Sequence, residues 1–108
     1  GGSVAANATA FTGLSSQATT EGLVQQLFPV TQTFTKFYCF GPKPTSGTSD
    51  VFTLRVNGAD TTATCTVGSG VTTVVLSPIN ISISGGSLVD VKVVNGNTAG
   101  GVTWGLAP

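Results

Sequence analysis

The sequence predicts an all-β domain, an antiparallel sandwich of two sheets, on three observations. From Gly22 onward apolar and polar residues alternate with a period of two, which sets one face of each strand on a core and the other in water. Gly, Pro and Asn cut that alternation at short intervals, and these are the residues that make turns. The stretch 51–67 is two alternating strands folded about Asn57-Gly58, a pair that tolerates the positive φ angles of a tight hairpin.

The elements follow in order. Residues 1–20 are Gly, Ala, Ser and Thr with isolated apolar residues (Val4, Phe11, Leu14) and no sustained period, so they predict either a flexible tail or, the reading taken here, an extended N-terminal arm that orders only against a partner, ahead of a domain over 21–108. The first strand, over 22–28, stops at Pro29. The second, over 33–40, runs into the loop 41–47, whose Pro42 and Pro44 cannot donate to a ladder. The hairpin supplies strands over 50–57 and 61–67. Gly68-Ser69-Gly70 precedes a strand over 71–76, and Pro78 precedes one over 79–84, where Ile79, Ile81 and Ile83 alternate with Asn80, Ser82 and Ser84. Gly85-Gly86 and Asn95-Gly96-Asn97 set off the last two, over 88–94 and 101–106. Nothing reads as a helix beyond a turn within 17–25. Eight short strands is the count of a jelly roll.

Charge is scarce. Four acids (Glu21, Asp50, Asp60, Asp90) and four bases (Lys36, Lys43, Arg55, Lys92) make up 7% of the chain, with no histidine and a net charge of zero. An ordinary soluble domain carries roughly 25%. Four scattered cations make no basic patch, which excludes nucleic acid as a partner. Apolar runs of four to five residues exclude a membrane-spanning helix. The chain opens at Gly1 and contains no Met, so an initiator or a longer leader is expected to have been removed, and no signal peptide is expected within it.

Chemistry is equally scarce. A nucleophilic triad lacks its histidine base. Asp60 belongs to the hairpin turn, Asp50 caps a loop, and Asp90 is expected in a solvated pair with Lys92 two residues on, so no catalytic carboxylate pair is expected. No Asp-rich loop suits calcium, no glycine run precedes a helix as a phosphate cradle requires, and two thiols without histidine cannot close a zinc shell. The expectation is a non-enzymatic protein with no cofactor and no metal. Cys39 and Cys65 both occupy strand positions. Two reduced core thiols are the first reading and a disulfide the second. Trp104 alternates with Val102 and Leu106, as a core residue would.

The alternation also fails in places. Phe37-Tyr38-Cys39-Phe40, Val74-Val75-Leu76 and Leu27-Phe28 are apolar on both faces, whereas a sandwich buries only inner faces. Covered outer faces predict a homo-oligomer, with Tyr38, Phe40, Val75 and Leu88 as its seam.

The motifs Phe28-Pro29-Val30, the Gly/Pro-rich loop 41–47, Phe52-Thr53-Leu54-Arg55-Val56-Asn57-Gly58-Ala59-Asp60 and Gly85-Gly86-Ser87-Leu88-Val89 together resemble the small trimeric jelly rolls of the tumour-necrosis-factor-like and complement-head type. Such heads occur in bacteriophage capsid decoration (cement) proteins, fibre heads and bacterial surface proteins, and the resemblance covers about residues 21–106. It implies a homotrimer about a threefold axis. The expectation is a structural protein of the virion that decorates a phage capsid, with itself and the major capsid protein as partners. Val4, Phe11 and Leu14 are the candidate docking residues of its arm. The alternatives are a receptor- or carbohydrate-binding head of a tail fibre or adhesin, and an extracellular filament subunit held by strand donation.

Overall fold

Twelve strands and one 3-10 turn make up the regular structure of the computed structural model, which describes residues 2–13 and 17–108. In chain order the strands are β1 (Gly2–Val4), β2 (Thr9–Thr12), β3 (Gln17–Ala18), β4 (Gln26–Phe28), β5 (Gln32–Phe34), β6 (Lys36–Phe40), β7 (Asp50–Val56), β8 (Ala59–Val67), β9 (Thr73–Leu76), β10 (Ile81–Ile83), β11 (Ser87–Val94) and β12 (Gly100–Ala107). The turn, Glu21–Leu23, lies between β3 and β4.

The pairing is nested. β1 pairs with β12, β2 and β4 pair with β11, β5 and β6 pair with β10 and β9, and β7 pairs with β8, every pair antiparallel. These are the rungs of one long hairpin closed at Asn57-Gly58. Two further pairings, β12 with β6 and β11 with β7, roll that hairpin into the sheets β1-β12-β6-β9 and β2-β11-β7-β8, the second extended by β3 on β2, while β5 and β10 form a two-stranded sheet of their own. This is the strand order of a jelly roll. The closing turn is as the sequence predicts, with positive φ at Asn57 (52°) and Gly58 (78°).

The expected strand over 33–40 is two strands, β5 and β6, and the one over 79–84 shrinks to β10. Pro78 has no N–H to continue the ladder, so pairing lapses there, and the Ile79 N–H donates to the Thr35 carbonyl at 2.8 Å across the gap. The stretch 22–28 is half turn and half strand, because 22–25 pass over the sheet before pairing begins at Gln26.

The N-terminal segment departs from its expectation. It is not a separate arm: β1 lies on β12, β2 lies on β11, and Val4 and Ala10 are in the core. The low apolar content of 1–20 argues against independent folding, and the described β1 and β2 are paired with β12 and β11. β11 and β12 of the same chain offer open edges, and backbone hydrogen bonds to those edges need only the small buried side chains of Val4, Ala10 and Thr12 beneath them.

Between the sheets lie Phe37, Phe52, Leu54, Val67, Ile83, Val89, Val91 and Val93, all fully buried, and each such side chain contributes roughly 1.5–3 kcal/mol. Trp104 joins them, its indole N–H shared between the Thr12 and Gly13 carbonyls at 3.1 Å each. Cys39 and Cys65 form a disulfide, the second of the two readings, which joins β6 in one sheet to β8 in the other.

Candidate functional site

Along β6 the inward residues are Phe37 and Cys39 and the outward ones Lys36, Tyr38 and Phe40. Register sets Val75 beside Tyr38 on β9 and Gly105 beside it on β12. Phe40 sits between Thr73 and Thr103. Tyr38, Phe40 and Val75 are 38%, 45% and 48% exposed, so three large apolar side chains stand together with their outer surfaces open among the described residues. Gly105 deepens the patch. A Cβ there would meet no atom within 4 Å, so the fold does not require glycine, and its absence of a side chain leaves bare backbone beside the Tyr38 ring. Two adjoining hollows follow this face: one of about 520 Å³ bordered by Phe40, Pro42, Lys43, Thr72 and Thr103, the other of about 230 Å³ over Tyr38, Thr73 and Gly105. Lys36 and Lys43 are its charges; otherwise it offers rings, methyls and hydroxyls.

The outer face of the other sheet is its opposite. Five of the eight charged residues gather there: Glu21, Arg55, Asp60, Asp90 and Lys92. Arg55 on β7 grips Glu21 with two N–H groups, Nε to Oε2 at 2.6 Å and Nη2 to Oε1 at 3.1 Å. It also donates to Asp60 and to the Gly58 carbonyl. Its guanidinium lies 5.5 Å from the centre of the Phe11 ring. Lys92 on β11 completes the chain at 2.9 Å from Asp60. The hydrogen bond from Arg55 holds the Glu21 carboxyl below its usual range, and those from Lys92 and then Arg55 do the same for Asp60. Asp90 is different: burial, reinforced by Glu21, pushes it up to about 8.

Asp90 therefore corrects one expectation. It is fully buried rather than solvated, and Lys92 pairs with Asp60 instead. Asp50 is also buried, its Oδ1 accepting from the Gly96 N–H at 2.8 Å, and burial raises its pKa. Glu21 reaches Arg55 across 34 positions of sequence, and no local pattern signals that contact.

The four seam candidates divide between the two faces. Tyr38, Phe40 and Val75 form one patch; Leu88, 40% exposed on β11, lies on the other sheet beside Leu27, its partner in register. Of the arm candidates, Val4 is buried in the core and Phe11 is half-buried against Arg55, so neither is free to dock on a partner as expected; Leu14 lies outside the described residues. No protein-family model matches this chain, and neither curated proteins nor solved structures yield a match.

Proposed function

We propose that this chain is a non-enzymatic structural subunit of a virus particle, a homotrimer that decorates a bacteriophage capsid. The observation that carries the reading is the exposed patch of Tyr38, Phe40 and Val75 on an almost uncharged sheet face. Aromatic side chains are enriched at the centres of protein interfaces, and a chain this poor in charge suits a permanent assembly. A threefold ring joins two different patches of each subunit, so Leu88 and Leu27 on one sheet have a natural counterpart in Tyr38 and Phe40 on the other. The jelly-roll order agrees with the tumour-necrosis-factor-like resemblance. Glu21 and Asp60 are ion-paired, Asp50 and Asp90 are buried, and none of the four borders the hollows of the apolar face, which supports a non-enzymatic reading. A buried disulfide suits a protein that functions outside the reducing cytosol, as a released virion does.

With the N-terminal segment built into the sheets, attachment to the major capsid protein passes to the surface of the domain, where Leu23 and Val30 are 76% and 71% exposed. Light scattering on the purified protein is expected to give three times the chain mass at micromolar concentration, and the trimer is expected to cosediment with undecorated shells. A monomer under those conditions overturns the reading. A carbohydrate- or receptor-binding fibre head is the second reading, favoured by the hollow of about 520 Å³ in which Phe40 meets the Thr72 and Thr103 hydroxyls and Lys43. Retention on immobilised host glycans without binding to shells would select it.

A further inference from the structure

Asp90 lies on a central strand, facing outward by alternation between the buried Val89 and Val91, yet it is 0% exposed and neither carboxylate oxygen has a hydrogen-bond partner among the described residues. The register shows its surroundings. On one side of β11 stands Arg55 of β7, directly opposite. On the other side β2 ends at Thr12, paired with Val91, and β4 resumes at Gln26, paired with Val89. The chain leaves the sheet edge beside Asp90 and returns there, and the Glu21–Leu23 turn on that excursion sends Glu21 back to Arg55.

We propose that Asp90 and the Glu21 turn form a proton-operated latch: with a proton on Asp90 the turn is docked on the sheet, and loss of that proton to solvent releases it. The charges at the site require a proton. Against Asp90 stand Glu21 from the turn and Arg55 from β7, and Asp60 on β8 and Lys92 further along β11 join the group through Arg55. Arg55 is committed to Glu21, Asp60 and Gly58, and Lys92 to Asp60. Fully ionised, the group has three carboxylates against two cations, and a single proton restores balance. It resides on Asp90, since Glu21 has two N–H donors, Asp60 is about half exposed, and the fully buried Asp90 accepts no hydrogen bond among the described residues. Burial and Glu21 together raise its pKa to about 8, within reach of mildly alkaline surroundings.

The turn is the element that yields. β7 and β11 are central strands, whereas the turn is held within itself by two backbone bonds, Leu23 N to Thr20 O and Val24 N to Glu21 O, and Leu23 is 76% exposed. The molecule also carries its own reporter. Trp104, the only tryptophan, donates to the Thr12 and Gly13 carbonyls, where β2 gives way to the excursion. Gly13 is pressed against the turn, for a Cβ there would lie 2.4 Å from the Val24 carbonyl oxygen. Displacement of the turn therefore reaches the indole.

The test is a titration of the full chain from pH 6 to 9, below the ordinary ionisation of tyrosine near pH 10. Trp104 emission is followed alongside amide hydrogen exchange normalised to intrinsic rates. The expected result is a reversible one-proton change with a midpoint near 8, with exchange accelerated at Leu23 and Val24 and unchanged in β7 and β11. Asp90→Asn removes the proton site and abolishes the change. Glu21→Gln frees Arg55 to receive an ionised Asp90 and moves the midpoint down by at least about one unit, a shift that decides the matter even if Asp90→Asn fails to fold. A flat wild-type response, a transition retained in Asp90→Asn, or an unmoved midpoint in Glu21→Gln overturns the latch.

Discussion

The two outer faces of this sandwich share one core and differ in nearly everything else. Over β7 and β11 lie most of the chain's charges, locked to one another through Arg55. Over β6, β9 and β12 lie Tyr38, Phe40 and Val75, exposed beside a glycine that nothing in the chain requires. A protein with this little charge would gain most solubility by spreading it. Concentrating it on one face and leaving the other apolar instead divides the labour: the charged face contributes to the stability of the single chain, and in the function proposed above the apolar face serves association.

That division can be broken most forcefully where the two sheets are tied. Reducing the Cys39–Cys65 bridge, or replacing both residues with alanine, is expected to destabilise the chain by about 2–5 kcal/mol, read as a lower urea midpoint. Equal midpoints with and without reductant would mean that core packing alone holds the faces together. Next in size is Arg55→Ala. It strands Glu21 and the Gly58 carbonyl and leaves Asp60 with Lys92 alone, and an expected loss of about 1.5–3 kcal/mol in chemical denaturation follows from hydrogen bonds to charged partners. A loss within about 0.5 kcal/mol would reduce the network to surface decoration.

Acidity sharpens the same contrast, since every shifted carboxyl but Asp50 is on the charged face. Asp90 keeps its proton in the fold up to about pH 8, while the unfolded chain releases it near the ordinary 3.8. The unfolded state thus binds fewer protons between those values, and stability falls as pH rises, by up to about 1.4 kcal/mol per unit. Asp50, also raised by burial, adds in the same direction. Glu21 and Asp60 are depressed, so their contribution is present above the ordinary carboxylate range and is lost as pH falls through it. Thermal melts should therefore show a maximum near pH 4–5, and Asp90→Asn should flatten its alkaline side. A plateau from pH 5 to 8 in the wild type would contradict both.

The smallest effects on stability belong to the apolar face. Tyr38→Ser and Phe40→Ser are expected to change the unfolding free energy of the isolated chain by less than about 0.5 kcal/mol while reducing the mass in light scattering to that of one chain. Gly105→Val places its side chain in open space and should be equally mild for the fold, yet should weaken association. A large loss of monomer stability from any of the three would erase the distinction between the faces.

Much of the molecule follows from local pattern. Strand alternation is a property of the extended backbone, so Phe52 and Leu54, Ile83, Trp104 and the outward Tyr38 and Phe40 can be placed from spacing alone. The Asn57-Gly58 hairpin is equally local, because its two positive φ angles are the choice of the two residues that adopt them. What eluded local reading was decided by distant neighbours. Val4 and Ala10 are core residues only because β12 and β11 present edges to them about ninety positions later. Cys39 meets Cys65 because the rolled hairpin brings β6 over β8. Asp90 has the spacing of a solvated partner for Lys92, and it is buried because Glu21, from a turn with no periodic signal, closes over it to reach Arg55. Periodicity records which way a side chain points; what lies beyond it depends on pairings between remote strands, and only the folded chain creates those.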